Sequence, residues 1–205
     1  MMGIELNKQG SGKTRASLLL IGASLLPLAG QAEPVTYTID PAHTYPSFEV
    51  DHRCGLSVWR GKFNRSSGIV IMDKEAMTGS VDIQIDMTSI DFGFDDMNEH
   101  AMADDEGMLN VARFPAATYS SQLTHWEDGL PTAVDGELTL HGVSLPVDLQ
   151  INQLRCSPAR GGGEVCGADA VGSFDRADFG VNYAAGFGFL MYVNLRIQIE
   201  AQSEG

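Results

Sequence analysis

LMYVNLRIQIEA, residues 190–201, alternates apolar and polar side chains from Met191 onward. Met191, Val193, Leu195, Ile197 and Ile199 fall on one side of an extended chain. Tyr192, Asn194, Arg196, Gln198 and Glu200 fall on the other. Successive side chains of a strand point to opposite faces, so a period of two means one dry face and one wet face. The same rhythm recurs upstream. In SVDIQIDM (80–87), Val81, Ile83, Ile85 and Met87 oppose Asp82, Gln84 and Asp86. In VDGELTLHGVSLPVDLQIN (134–152), Leu138 and Leu140 alternate with Glu137 and Thr139, the chain turns at His141-Gly142, and Val147, Leu149 and Ile151 alternate with Asp148 and Gln150. Further strands fit at 35–39, 46–53, 57–63, 68–72, 117–126 and 167–175, with Gly-, Pro- and Asn-rich turns between them.

One segment breaks the rhythm. GFDDMNEHAMADDEGMLNVARFP (93–115) sets Met97, Ala101 and Met108 at roughly helical spacing. It predicts a helix near 96–105, capped by Asp95 or Asp96 and stopped by Pro115, with a loop after Gly107. About eight similar strands with one helical insertion predict an all-β fold: an antiparallel up-and-down β-barrel, whose closure removes exposed edges. A barrel of about eight strands can hold one small ligand along its axis. The dry face is then either a filled core or the lining of an apolar pocket, and periodicity alone does not separate the two.

The first 32 residues carry a different signal. QGSGKT (9–14) looks like the end of a phosphate-binding loop, but Asn7 stands where that loop needs a glycine and no strand precedes it. Lys8, Lys13 and Arg15 followed by the uncharged run 16–30 match the cationic and apolar regions of an export signal. Gly30 and Ala32 are the small residues that a signal peptidase needs, so cleavage is expected after Ala32. A lipoprotein box would need cysteine where Gln31 stands. The expected product is one exported, periplasmic domain over 33–205.

Setting aside 1–32, which hold Glu5, Lys8, Lys13 and Arg15, takes the formal charge from −14 to −16. That acidity argues against a nucleic-acid partner and against anionic membrane surfaces, and the apolar run is too short for a stable membrane span. A homodimer is compatible with the sequence but not specified by it. Of three cysteines, Cys156 and Cys166 flank SPARGGGEV, which can turn back at its glycines, so a disulfide is expected between them. Cys54 is the odd thiol, expected to be buried. No second CxxC, HExxH or paired histidine suggests a metal, and no motif implies a cofactor.

The chain resembles a known family. YTIDPAHTYPSFEVDH (37–52), GLSVWRGKFNRSSGIVIMD (55–73), TGSVDIQIDMTSID (78–91), NEH (98–100), ARFPAATY (112–119), GELTLHGVSLPVDL (136–149), CGADAVGSFDRADFG (166–180) and LRIQIEA (195–201) are similar, in order, to the YceI-like family. The resemblance implies an exported, lipocalin-like extended barrel that holds a long isoprenoid or fatty chain. Met97 and Asn98 depart from it, standing where many members carry Arg-Asp.

By strand parity the tunnel-facing candidates are Phe48, Val50, Trp59, Phe63, Val81, Ile83, Ile85, Leu138, Leu140, Val193, Leu195 and Ile197. His52 shares the face of Phe48 and Val50. His52 and His100 are candidates for contacts to a polar head group, while a satisfied core role is the plain alternative for either. His43 and His141 also fall in the family-like stretches, and His125 lies near a strand end. Asp40 and Asp178 are expected to anchor turns through Asx-type bonds, with Arg176 pairing locally to Asp178. No catalytic residues are predicted: GxSxG and GxGxxG are absent, and the carboxylates alternate onto wet faces. The expected function is a non-enzymatic carrier of a long-chain amphiphile (polyisoprenoid, isoprenoid quinone or fatty acid/amide), with the 93–115 segment as lid. The alternatives are an enzyme or electron-transfer accessory acting on a quinone-like head group, and a ligand-free interaction module.

Overall fold

The computed structural model describes Gly3 and residues 33–204, so the expected export signal lies almost wholly outside the described residues. Strands β1 (Val35–Ile39), β2 (Tyr45–His52), β3 (Ser57–Phe63), β4 (Ser66–Asp73), β5 (Thr78–Asp86) and β6 (Ile90–Asp91) precede helix α1 (Asp95–Met102). After it come β7 (Ala116–Glu127), β8 (Leu130–Leu140), β9 (Val143–Pro146), β10 (Leu149–Pro158), β11 (Glu164–Asp175) and β12 (Tyr192–Ser203). All pairings are antiparallel. The hydrogen-bonded path β1-β4-β5-β7-β8-β10-β11-β12 returns to β1, which closes an eight-stranded barrel.

Among the described residues twelve strands build eight staves because some staves are broken. The first stave is β1 and β2, both paired to β12 across a kink at 40–44. There Asp40 accepts the backbone N–H of Ala42 (2.9 Å), and the Thr44 hydroxyl donates to Glu200 O and accepts from Glu200 N (3.1 and 3.0 Å), replacing ladder bonds. β3 and β4 form the second stave, broken at Asn64-Arg65, where Arg65 N donates to the Ser89 hydroxyl and the guanidinium pairs with Asp86 at 2.8 Å. β9 and β10 form another. Val147 N bonds Gly136 O, and the buried Tyr119 hydroxyl donates to Val147 O at 2.9 Å. A side chain at Gly136 would run into the Tyr119 ring, so glycine is required under that tyrosine. The hairpin expected at His141-Gly142 is present, with both residues at positive φ (53° and 78°) as a two-residue primed turn demands.

β6 ends the path β12-β2-β3-β6 with no further strand beside it among the described residues. α1 packs there, and the segment after it folds back through Leu109 N to Ala101 O and Val111 N to Met102 O. The helix differs from expectation at both ends. Its N-cap is Phe94, and Asp95 and Asp96 sit in the first turn, where they complement the dipole rather than cap it. It stops at Met102, well before Pro115, because the chain turns back at Ala103 to cover the barrel with Met108 and Leu109.

Cys156 and Cys166 are direct cross-strand partners on β10 and β11 and form the expected disulfide, a loop closure that contributes about 2–3 kcal/mol. Cys54, by contrast, is exposed. It occupies the β2–β3 turn at φ 59°, where the backbone must leave the sheet and has no interior to point into. Arg176 and Asp178 also depart from expectation. The Arg176 guanidinium turns inward and donates to Val181 O and Tyr183 O (2.7 and 3.1 Å), while Asp175 rather than Asp178 accepts the Ala177 N–H at the strand end.

Candidate functional site: a hollow barrel interior

The inward faces of the staves do not meet. They enclose a cavity of about 460 Å³, within the usual range of ligand pockets. Every residue that strand parity assigns to the tunnel lines this cavity. Phe48, Val50 and His52 enter from β2, Trp59 and Phe63 from β3, and Val81, Ile83 and Ile85 from β5. Leu138 and Leu140 enter from β8, and Val193, Leu195 and Ile197 from β12. His100 reaches it from α1. Along β12 the lining runs from Val193 to Ala201, roughly 26 Å of strand at about 3.3 Å per residue. On β11, separated from the aromatic strand β2 by β12 alone, the lining residues Ala168 and Ala170 are small and project little into the space.

The two ends differ. The floor is formed by buried residues, among them Met72, Leu123, Cys166 and Ala201. Tyr37 closes it at 1 % exposure. Its hydroxyl donates to Glu164 Oε2 at 2.7 Å, and Lys74 Nζ donates to the same oxygen at 2.7 Å. Burial and the Glu164 charge push the Tyr37 hydroxyl far above its ordinary range, so it stays a donor. The Lys74 hydrogen bond, joined by that of Tyr37, outweighs desolvation and holds the Glu164 carboxyl below its ordinary 4.5. A depressed carboxyl contributes stability that is full above its unfolded value and is lost as pH falls through the folded one. The expected result is that Glu164→Gln lowers the urea midpoint at pH 7 but loses less further stability than the parent as the pH falls below the carboxyl's ordinary 4.5. Equal acid slopes for the two proteins would contradict the assignment.

The upper end is the mouth, lined by the part-exposed Asp51, His52, Phe189, Ala184 and Tyr183 together with Arg176. His52 packs at a tilt of 38° against Trp59 (ring centroids 4.8 Å) and meets Phe189 edge-on (5.9 Å), and its Nδ1 lies 3.3 Å from the Ser57 hydroxyl. His100 meets Tyr183 edge-on at 5.0 Å. Desolvation pushes the Asp51 carboxyl up, but the N–H groups of Leu190, Gly55 and Cys54 together outweigh it and leave it below the usual carboxylate range. Burial lowers the Arg176 guanidinium against the opposing charges of Asp175 and Asp51. The other histidines stand apart from the cavity. His43 and His125 are bound to Asp40 and Asp135 at 2.7 and 2.8 Å, and His141 Nδ1 lies 3.1 Å from Phe179 O. The grouping of possible metal ligands found among the described residues, Cys156, Glu164 and Cys166, has both thiols committed to the disulfide.

Sequence reasoning missed Tyr37, Asp51 and Arg176. Tyr37 was readable by parity, since Tyr37 and Ile39 share the dry face of β1. Arg176 had no such signal, because only the loop folding back over it supplies its acceptors.

A closed, hollow, up-and-down barrel with an apolar lining defines the lipocalin-like class of β-barrels. The comparisons narrow this. The family model described as "YceI-like domain" matches residues 37–204, and the chain belongs to that family. It is 32% identical over 171 residues to Protein YceI of Escherichia coli, covering 82% of this chain and 87% of that one. It is 28% identical over 179 residues to a UPF0312 protein of Vibrio parahaemolyticus, covering 87% and 92%. Among solved structures it resembles BcnA of Burkholderia cenocepacia (TM-score 0.61, 20% identity, 79% of this chain and 98% of that one). It also resembles a polyisoprenoid binding domain from Saccharophagus degradans (TM-score 0.59, 18% identity, 83% and 99%). At these identities the structural likenesses establish the barrel fold.

Proposed function

We propose that this protein is a periplasmic carrier that sequesters one long-chain amphiphile, of isoprenoid, isoprenoid-quinone or fatty type, inside the barrel. The observation that carries the reading is the cavity: about 460 Å³, enclosed by apolar side chains and running most of the barrel's length. Each CH₂ that leaves water for such a space contributes about 0.8 kcal/mol. Ten of them contribute about 8 kcal/mol before ordering costs, which is ample without fine polar readout. Phe48, Val50, Trp59, Phe63, Ile83, Ile85, Leu138, Leu140, Val193 and Leu195 hold the tail, and His52 and His100 face the head group at the mouth. The Saccharophagus degradans neighbour, a polyisoprenoid binding domain, points the same way. The activity is binding rather than turnover, and export rests on the Lys8–Arg15 and 16–30 pattern.

The test is native mass spectrometry of residues 33–205 purified without detergent, followed by solvent extraction. A co-purifying mass with an isoprenoid or fatty-chain signature is the expected result. A protein that is empty as isolated and stays empty after incubation with prenyl lipids, fatty acids and fatty amides overturns the carrier reading.

A further inference from the structure

Large apolar side chains are exposed unevenly on this barrel. Leu56, Val58, Tyr183, Phe187, Leu190 and Tyr192 all lie at the upper end, from the β2–β3 turn and the start of β3, and from the segment between β11 and β12 and the start of β12. Phe187 is 82 % exposed and Leu56 72 %. The two segments form one patch: Leu190 N donates to Asp51 at 3.0 Å, and Cys54 Sγ lies 3.4 Å from Phe187 O. Phe187 is not a dangling side chain. It ends a 3-10 turn (Ala185–Phe187) closed by Phe187 N to Ala184 O and Gly188 N to Ala185 O, and Arg176 ties the start of the segment through Val181 O and Tyr183 O. The fold therefore holds these groups outward at the rim of the cavity mouth, against the cost of wetting them.

The charge pattern names the partner. Residues 179–195 contain no Asp, Glu, Lys or Arg, in a domain whose formal charge over 33–205 is −16. The end of β2 and the β2–β3 turn add Asp51 and Arg53, of opposite sign, so the rim is aromatic-rich with no net charge and suits the headgroup–acyl boundary of a neutral bilayer, where aromatic rings are favoured. The acidity around it, including Asp95, Asp96 and Glu99 on α1, repels an anionic surface. We infer that the upper rim docks transiently on a zwitterionic lipid bilayer, with Phe187 and Leu56 entering the boundary and the cavity mouth facing the membrane. The use of that docking, transfer of a lipid between membrane and barrel without crossing water, rests on the carrier reading. The docking itself rests on the surface alone.

Vesicle flotation separates the two. Residues 33–205 are mixed with phosphatidylcholine vesicles and with vesicles containing phosphatidylglycerol, at low and high salt, and bound ligand is measured on the same sample by native mass spectrometry. Docking predicts flotation with the neutral vesicles that salt does not abolish. It also predicts a loss of about tenfold or more in Phe187→Ser/Leu56→Ser, given the area of the two side chains, with ligand content unchanged. Two outcomes overturn it: no flotation on neutral vesicles, or flotation only with the anionic ones. Self-association that the double variant abolishes, without flotation, also overturns it and assigns the rim to a second copy of the chain. Ligand without flotation retires the docking alone, and flotation by a protein that stays empty after incubation with prenyl lipids, fatty acids and fatty amides upholds it and retires only the carrier reading.

Discussion

Ala170→Trp is expected to exclude the ligand from a barrel that still folds. Ala170 is buried on β11, lines the cavity and lies beside Ile151 and Ile197 on the neighbouring strands. An indole there occupies space that the tail would need. Excluding about four CH₂ groups removes about 3 kcal/mol, or about a hundredfold in affinity. The same substitution in a filled core would cost about 1–3 kcal/mol of stability through overpacking, and in a hollow one the cost lies at or below that range. Ligand content by native mass spectrometry and the dissociation constant of a fluorescent long-chain probe measure the first effect, and thermal unfolding measures the second. Unchanged binding with the tryptophan in place would mean that the tail does not pass Ala170.

Phe179→Ala is expected to produce the opposite profile, a large loss of stability. Phe179 is 1 % exposed, packs edge-on to Phe174 at 5.2 Å, and its carbonyl lies 3.1 Å from Nδ1 of His141 on the neighbouring hairpin. It sits under the segment that carries Tyr183, Phe187 and Phe189 to the mouth. Truncating a fully buried phenylalanine costs about 3–5 kcal/mol. In a domain of this size that lowers Tm by about 6–20 °C. A shift of less than about 2 °C would show that the site collapses around the deletion, and that the segment is held by Arg176 rather than by Phe179.

Much of the barrel was legible because a period of two is unambiguous where one face is buried. β3 was legible to the residue at 57–63, and the His141-Gly142 turn and the Cys156–Cys166 bridge follow from local chemistry. The stave breaks were not legible. Thr44 interrupts the first stave by bonding Glu200, 156 residues away, and no local pattern announces such a partner. The helix cap failed for a similar reason: Asp95 and Asp96 are good capping types, but packing against β6 sets the helix start one residue earlier, at Phe94. Cys54 and Arg176 went wrong in opposite directions. A thiol expected inside is exposed because its turn leaves the sheet, and a guanidinium expected to pair locally with Asp178 is drawn in by the carbonyls of Val181 and Tyr183.

The candidate site divides along the same line. Alternation alone says that Phe48, Ile83, Leu138 and Leu195 share an inner face, since the backbone dictates which way each side chain points. Whether those side chains meet in the middle depends on the radius of the closed sheet, which strand number and stagger determine together. Only the tertiary structure, by pairing β12 to both β1 and β2 and so closing the sheet at a radius that keeps its inward faces apart, decided that the interior is a cavity rather than a core.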